Sequence, residues 1–290
     1  MPPFNPEQFK DATRKAWDQS AAGWNRNTPV LRAWLADATA QLLDAAGIAS
    51  GMRVIDIAAG TGDQTLDLAR RVGADGLVMA TDLSPAILQF AQDNARQAGL
   101  LQVQTHVCDA ESLASMLDAN APEFDAAVCR LGLMLCPSPL RALQQMRQVL
   151  APGGRAAVLV FSEPQHNPCI GLLMSTALHH AGLAPRDSLQ PGTLLSLGKP
   201  GLLEALFTEA GFGAVASRRI AAPFRLPSAH AYLEFVRSSA SPIVQVLAQL
   251  SLHDQEAAWA SMESSLRAFQ TPGGWEGPNE LLLVHGACPA

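Results

Sequence analysis

The chain has 290 residues, 48% of them hydrophobic and only 16% charged, with a net charge of −6. That length holds one large domain, or one domain with a sizeable insertion, around a generous core. The acidic balance argues against a dedicated nucleic-acid binder, which needs a basic face to meet phosphates, and no apolar run reaches the ~18 residues of a membrane span.

From the amino end, Met1-Pro2-Pro3-Phe4-Asn5 carries no basic-then-apolar signal. Residues 6 to 49 read as helical. Phe9, Ala12, Thr13, Ala16, Trp17 and Ala21 recur at helical spacing, Asn27-Thr28-Pro29 interrupts, and Leu31, Trp34, Leu35, Ala38, Leu42 and Leu43 line one side of a second helix. Next comes Val54-Ile55-Asp56-Ile57-Ala58-Ala59-Gly60-Thr61-Gly62. An apolar run that carries one acid and then breaks into small residues is how a buried parallel strand ends where a ligand must approach the backbone. Asp63 to Arg71 reads as a helix, so strand, glycine turn and helix make a nucleotide-type site at the strand's carboxyl end.

Val78 to Thr81 reads as the second strand, ended by Asp82. A carboxylate there suits two ribose hydroxyls, because it accepts two hydrogen bonds at once. Ser84-Pro85-Ala86 is a helix start, a capping serine followed by proline at the first helical position, and that helix runs over 86–98 to Gly99. Val103 to Val107 alternates as a half-buried strand holding His106, with Cys108-Asp109-Ala110 after it. Phe124 to Cys129 is the fourth strand and Arg130-Leu131-Gly132-Leu133-Met134 its loop. A helix over 138–150 and a sharp turn at Pro152-Gly153-Gly154 lead to the fifth strand, Arg155 to Phe161.

Ser162 to Pro168 leaves that strand at the ligand-facing edge of the sheet. His166 is therefore the best-placed titratable base; the alternative is a solvent-exposed loop histidine. Ile170 to Ala181 reads as a helix, whose neighbouring His179 and His180 point apart and make no metal site. Residues 183–200 are a proline- and glycine-rich loop or lid. An amphipathic helix over 200–211, a strand over 214–225, helices over 228–270 that wall an acceptor pocket, and a last strand from Glu280 to His285 complete the chain. The five cysteines, Cys108, Cys129, Cys136, Cys169 and Cys288, form no Cys-x-x-Cys pair, which predicts free thiols in a reducing cytoplasm.

The acid inside the first strand is the informative residue. A nicotinamide-type turn wants a third glycine three residues after the second, where this chain has Thr65. Asp56 sits where a cationic or hydroxyl-bearing ligand could use a carboxylate, directly or through water.

Taken in order, Asp56-Ile57-Ala58-Ala59-Gly60-Thr61-Gly62-Asp63, Thr81-Asp82-Leu83-Ser84, Cys108-Asp109-Ala110, Phe124-Asp125, Arg130-Leu131-Gly132-Leu133 and Leu150-Ala151-Pro152-Gly153-Gly154 make the stretch 54 to 163 resemble the class I S-adenosylmethionine-dependent methyltransferases. Within them it looks closest to the type-11 branch that includes the ubiquinone/menaquinone biosynthesis methyltransferases. Ala58 departs from the family's usual first glycine and is small enough for the turn to survive. The resemblance implies an α/β fold: a Rossmann-like sheet, mostly parallel with the last strand antiparallel. It divides the chain into a helical cap (1–50), a cofactor-binding core (51–163), and lid helices with completing strands (164–290).

The resemblance further implies S-adenosylmethionine as cofactor, S-adenosylhomocysteine as product, and cofactor contacts from Asp56, Ala58, Gly60, Thr61, Gly62, Thr65, Asp82, Leu83, Asp109, Ala110 and Arg130. Asp82 would hold the ribose, Asp109 the exocyclic amine of adenine, and Gly60-Thr61-Gly62 the amino-acid end. Trp17 and Trp24 look like the aromatic pair that starts many relatives. Either one closes over a sulfonium in the substrate pocket, since an aromatic face attracts a cation, or both only pack their helix. Arg130, where the quinone branch has serine, either pairs with a carboxylate of cofactor or acceptor or is tied to a neighbouring acid.

The expected reaction is direct in-line methyl transfer to oxygen, carbon or nitrogen of a small organic acceptor. It needs alignment at about 3 to 3.5 Å, exclusion of water and, for a hydroxyl or activated carbon, a base, but no metal. His166 and Arg130 are the candidate catalytic residues. A non-methylating enzyme or binder of S-adenosylmethionine on the same fold, and an NAD-dependent oxidoreductase, are the alternatives. The expected partner is a small molecule, with no nucleic acid and no membrane span, for a cytoplasmic monomer or homodimer.

Overall fold

A computed structural model describes residues 5–117, 123–239 and 241–289; Met1 to Phe4, part of the stretch searched for a signal, lie outside the described residues. The helices are α1 (Pro6–Arg26), α2 (Thr28–Ala45), α3 (Asp63–Val72), α4 (Pro85–Gln97), α5 (Pro139–Gln148), α6 (Pro168–His180), α7 (Leu202–Glu209), α8 (Ala229–Ser239), α9 (Ser241–Leu247) and α10 (Leu252–Leu266). The strands are β1 (Arg53–Ile57), β2 (Leu77–Asp82), β3 (Val103–Val107), β4 (Phe124–Arg130), β5 (Leu150–Phe161), β6 (Gly213–Ala221), β7 (Phe224–Leu226), β8 (Gln270–Thr271), β9 (Gly274–Gly277) and β10 (Glu280–Ala287).

Seven strands form one sheet in the order β3-β2-β1-β4-β5-β10-β6. The first five are parallel, and β10 runs antiparallel between β5 and β6. The sheet is the expected mostly parallel one with an antiparallel last strand. The order reverses between β2-β1 and β4, and the crevice at such a switch point is where open α/β sheets bind ligands.

The central strands are buried on both faces by α2, α3, α5 and α7, which is why they read as near-continuous apolar runs. Here α2 behaves unlike α1. It sends Leu31, Leu35, Ala38, Leu42 and Leu43 inward, whereas α1 fully buries only Ala16, Ala21 and Gly23.

Local expectation and structure differ at the start of β5 and at the end of the 228–270 helical stretch. The turn at Pro152-Gly153-Gly154 lies inside β5, which already begins at Leu150. Gly153, at φ +77°, takes up a register shift opposite Phe124 and Ala126, as a β-bulge does. Strand β3 is the outermost strand and alternates as expected, Val103 and Thr105 partly covered and Gln104 and His106 exposed, with Val107 exposed as well. Gln270, read as the end of the 228–270 helices, and residues 271–277, which carried no expectation, supply β8 and β9, which form a second, antiparallel sheet in the order β7-β9-β8.

That small sheet belongs to a second apolar core shared with α6, α8, α9 and α10 and centred on Phe224, Tyr232, Trp259 and Trp275. Among the described residues no helix is long and apolar enough to cross a membrane.

Candidate functional site

The site is built on two adjacent strand ends. After Ile57 the chain turns through Ala58 (φ +54°), Gly60 (φ +57°) and Gly62 (φ +83°) into α3. Next to it, Leu131, the residue after β4, is also left-handed at φ +57°. Of the three non-glycine residues with positive φ among the described residues, two thus flank one point of the sheet. Such strain, of order 1–3 kcal/mol per residue, gathers at functional sites.

Ala58 is tolerated because of Gly132. A Cβ at position 132 would lie 2.4 Å from the Ala58 methyl, so the missing side chain in one loop makes room for the extra one in the other. Gly62 is required by its neighbour across the turn, since a Cβ there would meet Ala91 Cβ at 2.8 Å.

Beneath the turn, Asp56 has no exposed surface. One carboxylate oxygen accepts from Gln64 Nε2 and the other from Thr65 Oγ1, at 2.6 Å. Burial pushes its pKa up to about 7, against the pull of the Thr65 and Gln64 hydrogen bonds. Asp56 and Thr65 therefore hold each other beneath the turn, with both carboxylate oxygens turned to α3. Thr65, at the third-glycine place of a nicotinamide turn, is itself buried and committed to this carboxylate.

Asp82 ends β2. Its two oxygens accept the Gly60 and Ser84 N–H groups, each at 3.0 Å. Burial pushes its pKa up to about 6, with the N–H groups of Ser84, Gly60 and Leu83 pulling it back. Part of Asp82 still faces solvent, which tempers the push and leaves lone pairs for further donors.

Asp109 follows β3, and β2 and β3 are locked in register by Asp82↔Val107 and by the Cys108 N–H to the Asp82 carbonyl at 2.9 Å. Both acids thus stand on one rim. Between Asp109 and the first half of α1 opens a cleft of about 310 Å³ whose lining includes Leu83, Lys10, Asp11 and Arg14. Asp109 accepts the Glu111 N–H at 2.9 Å on Oδ1 and meets Lys10 Nζ at 2.7 Å on Oδ2. Burial lowers the Lys10 pKa, but Asp109 and Glu111 together outweigh it and the net shift is upward.

Helix α1 crosses this rim. Trp24 Nε1 lies 3.6 Å from where a Gly60 Cβ would stand. Trp24 packs edge-on against Trp17, with centroids 5.3 Å apart, and faces Phe235 of α8 at 6.3 Å. Asp18 Oδ1 accepts from Ser84 Oγ at 2.5 Å and from Ala86 N–H at 3.3 Å, so it caps α4 from outside. Thr61 is buried, its carbonyl held by Asn94 Nδ2 at 2.9 Å. Ala110 opens the short helix after Asp109.

The two candidate catalytic residues stand apart from that cleft. Arg130 gives Nη2 to Asp63 at 2.6 Å and Nη1 to Thr39 at 2.7 Å, with its side chain only 10% exposed. Of the two readings left open for it, the tie to a neighbouring acid is the one the geometry has. His166 Nδ1 lies 2.9 Å from Glu280 Oε1, at ion-pair distance but off the line of a hydrogen bond, and the ring is 39% exposed. His179 and His180 sit at the end of α6 with rings 5.8 Å apart, and His180 Nε2 meets Ser261 Oγ at 3.0 Å.

Lys10, Asp18, Asn94 and Gly132 carried no role in the sequence. Each acts on a residue dozens of positions away, so spacing marks none of them; only Ala58, an alanine needing a glycine's room, hinted at a partner such as Gly132.

The residues fit an adenosyl ligand. A bare left-handed peptide bend faces Trp24, two carboxylates share the rim, and an apolar residue, Leu83, lines the cleft beside Asp109.

Comparison with known proteins bears on the same stretch. Residues 48–182 match the family model described as a methyltransferase domain. The ubiquinone/menaquinone biosynthesis C-methyltransferase UbiE of Idiomarina loihiensis is 41% identical over 123 residues, which cover 42% of this chain and 47% of that one. The chain thus spans about half the length of the curated relatives it matches. Two solved structures share the fold. The YcgJ protein of Bacillus subtilis superposes with a TM-score of 0.57 at 16% identity, covering 88% of this chain and 99% of its own. Phosphoethanolamine N-methyltransferase 2 of Haemonchus contortus, in complex with S-adenosyl-L-methionine, gives 0.53 at 14% identity, covering 92% and 57%.

Proposed function

We propose that this chain carries a class I methyltransferase domain, over the residues 48–182 that match the methyltransferase-domain model, and uses it to transfer a methyl group from S-adenosylmethionine to a small organic acceptor. The observation that carries the reading is the convergence of Asp82, Asp109 and the left-handed Gly60 turn on one rim. Asp82 accepts from the ribose hydroxyls while keeping the Gly60 and Ser84 N–H groups. Asp109 accepts from the adenine amine, with Leu83 against the ring and Ala110 beside it. The Gly60-Thr61-Gly62 turn takes the amino-acid end at the start of α3, where backbone N–H groups favour a carboxylate.

S-adenosylmethionine supplies an electrophilic methyl on a sulfonium. The chain's own task is alignment and exclusion of water. Trp24 lies nearest the turn, and an aromatic face within about 6 Å of a cation contributes about 0.5–2 kcal/mol. Trp24 and Phe235, with Trp17 behind, wall an acceptor of small, apolar character. Arg130 serves by holding Asp63 and the start of α3. His166, with Nδ1 2.9 Å from Glu280 Oε1, is the base for an acceptor that must lose a proton. No nucleic acid enters this reading, and the protein works as a monomer or homodimer.

Calorimetric titration with S-adenosylmethionine tests the assignment. The wild type binds, and Asp82→Ala weakens binding by about ten- to hundredfold, the worth of hydrogen bonds to a charged acceptor. No binding by wild type, or equal binding by a folded Asp82→Ala protein, sinks it. Incorporation of label from tritiated S-adenosylmethionine into a small-molecule extract separates a transferase from a protein that only binds the cofactor.

A further inference from the structure

Helix α1 is held to the body in an unusual way for its length. Over 21 residues its only fully buried positions are Ala16, Ala21 and Gly23; its larger apolar side chains Phe9, Trp17 and Trp24 are part-buried, and the Phe9 ring comes within 2.5 Å of where a Gly192 Cβ would stand. Its C-terminal end is fixed by close approach: a Cβ on Gly23 would lie 1.8 Å from the Ser238 carbonyl oxygen, and Asn27 Nδ2 donates to Ser238 Oγ at 2.8 Å. Its first half is fastened to the rim by charge. Lys10 Nζ sits 2.7 Å from Asp109 Oδ2 and 2.7 Å from Glu111 Oε2, with side-chain exposures of 14%, 25% and 5% for the three residues.

The two acids have different remaining duties. Glu111 Oε1 accepts the Ser138 N–H at 2.6 Å, which fixes Glu111 in place and leaves Oε2 for Lys10 alone. Asp109 Oδ1 accepts the Glu111 N–H, so Oδ2 is the oxygen a ligand in the cleft would use. Lys10 holds that oxygen.

We propose that Lys10 sets the affinity of the adenine end by competing for Asp109: its ammonium bridges Asp109 and Glu111 in the free protein and retires to Glu111 alone when a ligand amine takes Asp109 Oδ2. The inference rests on the cofactor reading of the rim. A second acid within reach makes the exchange inexpensive, because the ammonium is never stranded without a partner, and stranding a buried charge is the costly outcome. The competition is electrostatic and part-exposed, so it is screened by salt.

The test is titration with S-adenosylhomocysteine, which lacks the sulfonium charge, so the loss of a lysine charge does not act through long-range attraction. Lys10→Met binds about two- to fivefold tighter than wild type, the range of a part-exposed ion pair. Lys10→Arg stays near wild type. Glu111→Gln, which keeps the bond to Ser138 but removes the second anion, binds more weakly because Lys10 then clings to Asp109. Wild-type affinity rises with ionic strength, and that of Lys10→Met does not. Thermal unfolding of each variant confirms that it is folded.

If Lys10→Met binds equally or more weakly, or if Lys10→Met and Glu111→Gln shift in the same direction, the competition is overturned while the cofactor assignment stands. Failure of S-adenosylhomocysteine to bind wild type overturns the assignment itself, and the competition with it.

Discussion

Asp56 is a carboxylate with no exposed surface, held by Gln64 and Thr65 under the glycine turn. Its folded pKa of about 7 stands above its ordinary value of 3.8. The folded state therefore binds this proton more tightly than the unfolded chain. The stability it contributes is present in full below about pH 3.8 and is lost as pH rises through about 7. Across that window about 1.4 kcal/mol disappears per pH unit for this group. Asp56→Asn removes the ionisation. Gln64 can turn its amide over, because its Oε1 is buried without a partner, and accept from the new amide. The variant should lie within about 1–2 kcal/mol of wild type at pH 5 and show a flatter stability profile between pH 5 and 8, read by urea titration at each pH. An unchanged slope would mean that Asp56 is not the titrating group. At this scale the acids, the glycines and Thr65 were legible because they break a local pattern. Asp56's inward duty was not, since an acid in a strand reads the same whether it faces a ligand or a neighbouring helix.

At the level of elements, α1 and α2 are a pair that the sequence treats alike and the fold treats differently. Both carry apolar residues at helical spacing, but α2 places four leucines, Ala38 and Thr39 in the interior while α1 inserts two alanines and a glycine. Segments with few buried apolar contacts open at free energies below that of global unfolding. Amides in the first half of α1, residues 9–18, should exchange by local opening at least tenfold faster than those of α2, by native-state hydrogen exchange. Saturating S-adenosylhomocysteine should slow them. Equal protection in the two helices would contradict the account. The caps of α4, Ser84 with Pro85 at the first helical position, were readable because a cap is a local hydrogen bond between residues three apart. The outside cap from Asp18 was not, because its partner lies 66 positions away.

Across the whole molecule, two apolar cores meet at Trp34. Its ring packs against Phe161, at the end of β5, and Phe224, at the start of β7, with centroids 6.2 and 4.6 Å away. Its Nε1–H donates to the Ala222 carbonyl at 2.7 Å. Trp34 borders the main core and the second core alike. Trp34→Ala should cost about 3–5 kcal/mol and loosen the coupling of the cores. Guanidinium unfolding followed by far-UV circular dichroism and by fluorescence should then give two non-coincident transitions where wild type gives one. A single coincident transition in the variant would show that other contacts carry the coupling.

What the sequence determined by itself is local or periodic. Strand β1 with its glycine bend, the helix starts, the order of strands and helices and the acids at two strand ends are all written in residues a few positions apart, and backbone sterics and hydrogen-bond geometry act at that range. Tertiary structure alone decided which of several chemically equal groups face the rim. It sent Arg130 to Asp63, folded Asp56 under the turn, set Gly132 against Ala58, brought Lys10 to Asp109 and gathered residues 270–277 into the second core. Each of these is a contact between distant parts of the chain, chosen by the packing of the whole molecule and carrying no periodic signature.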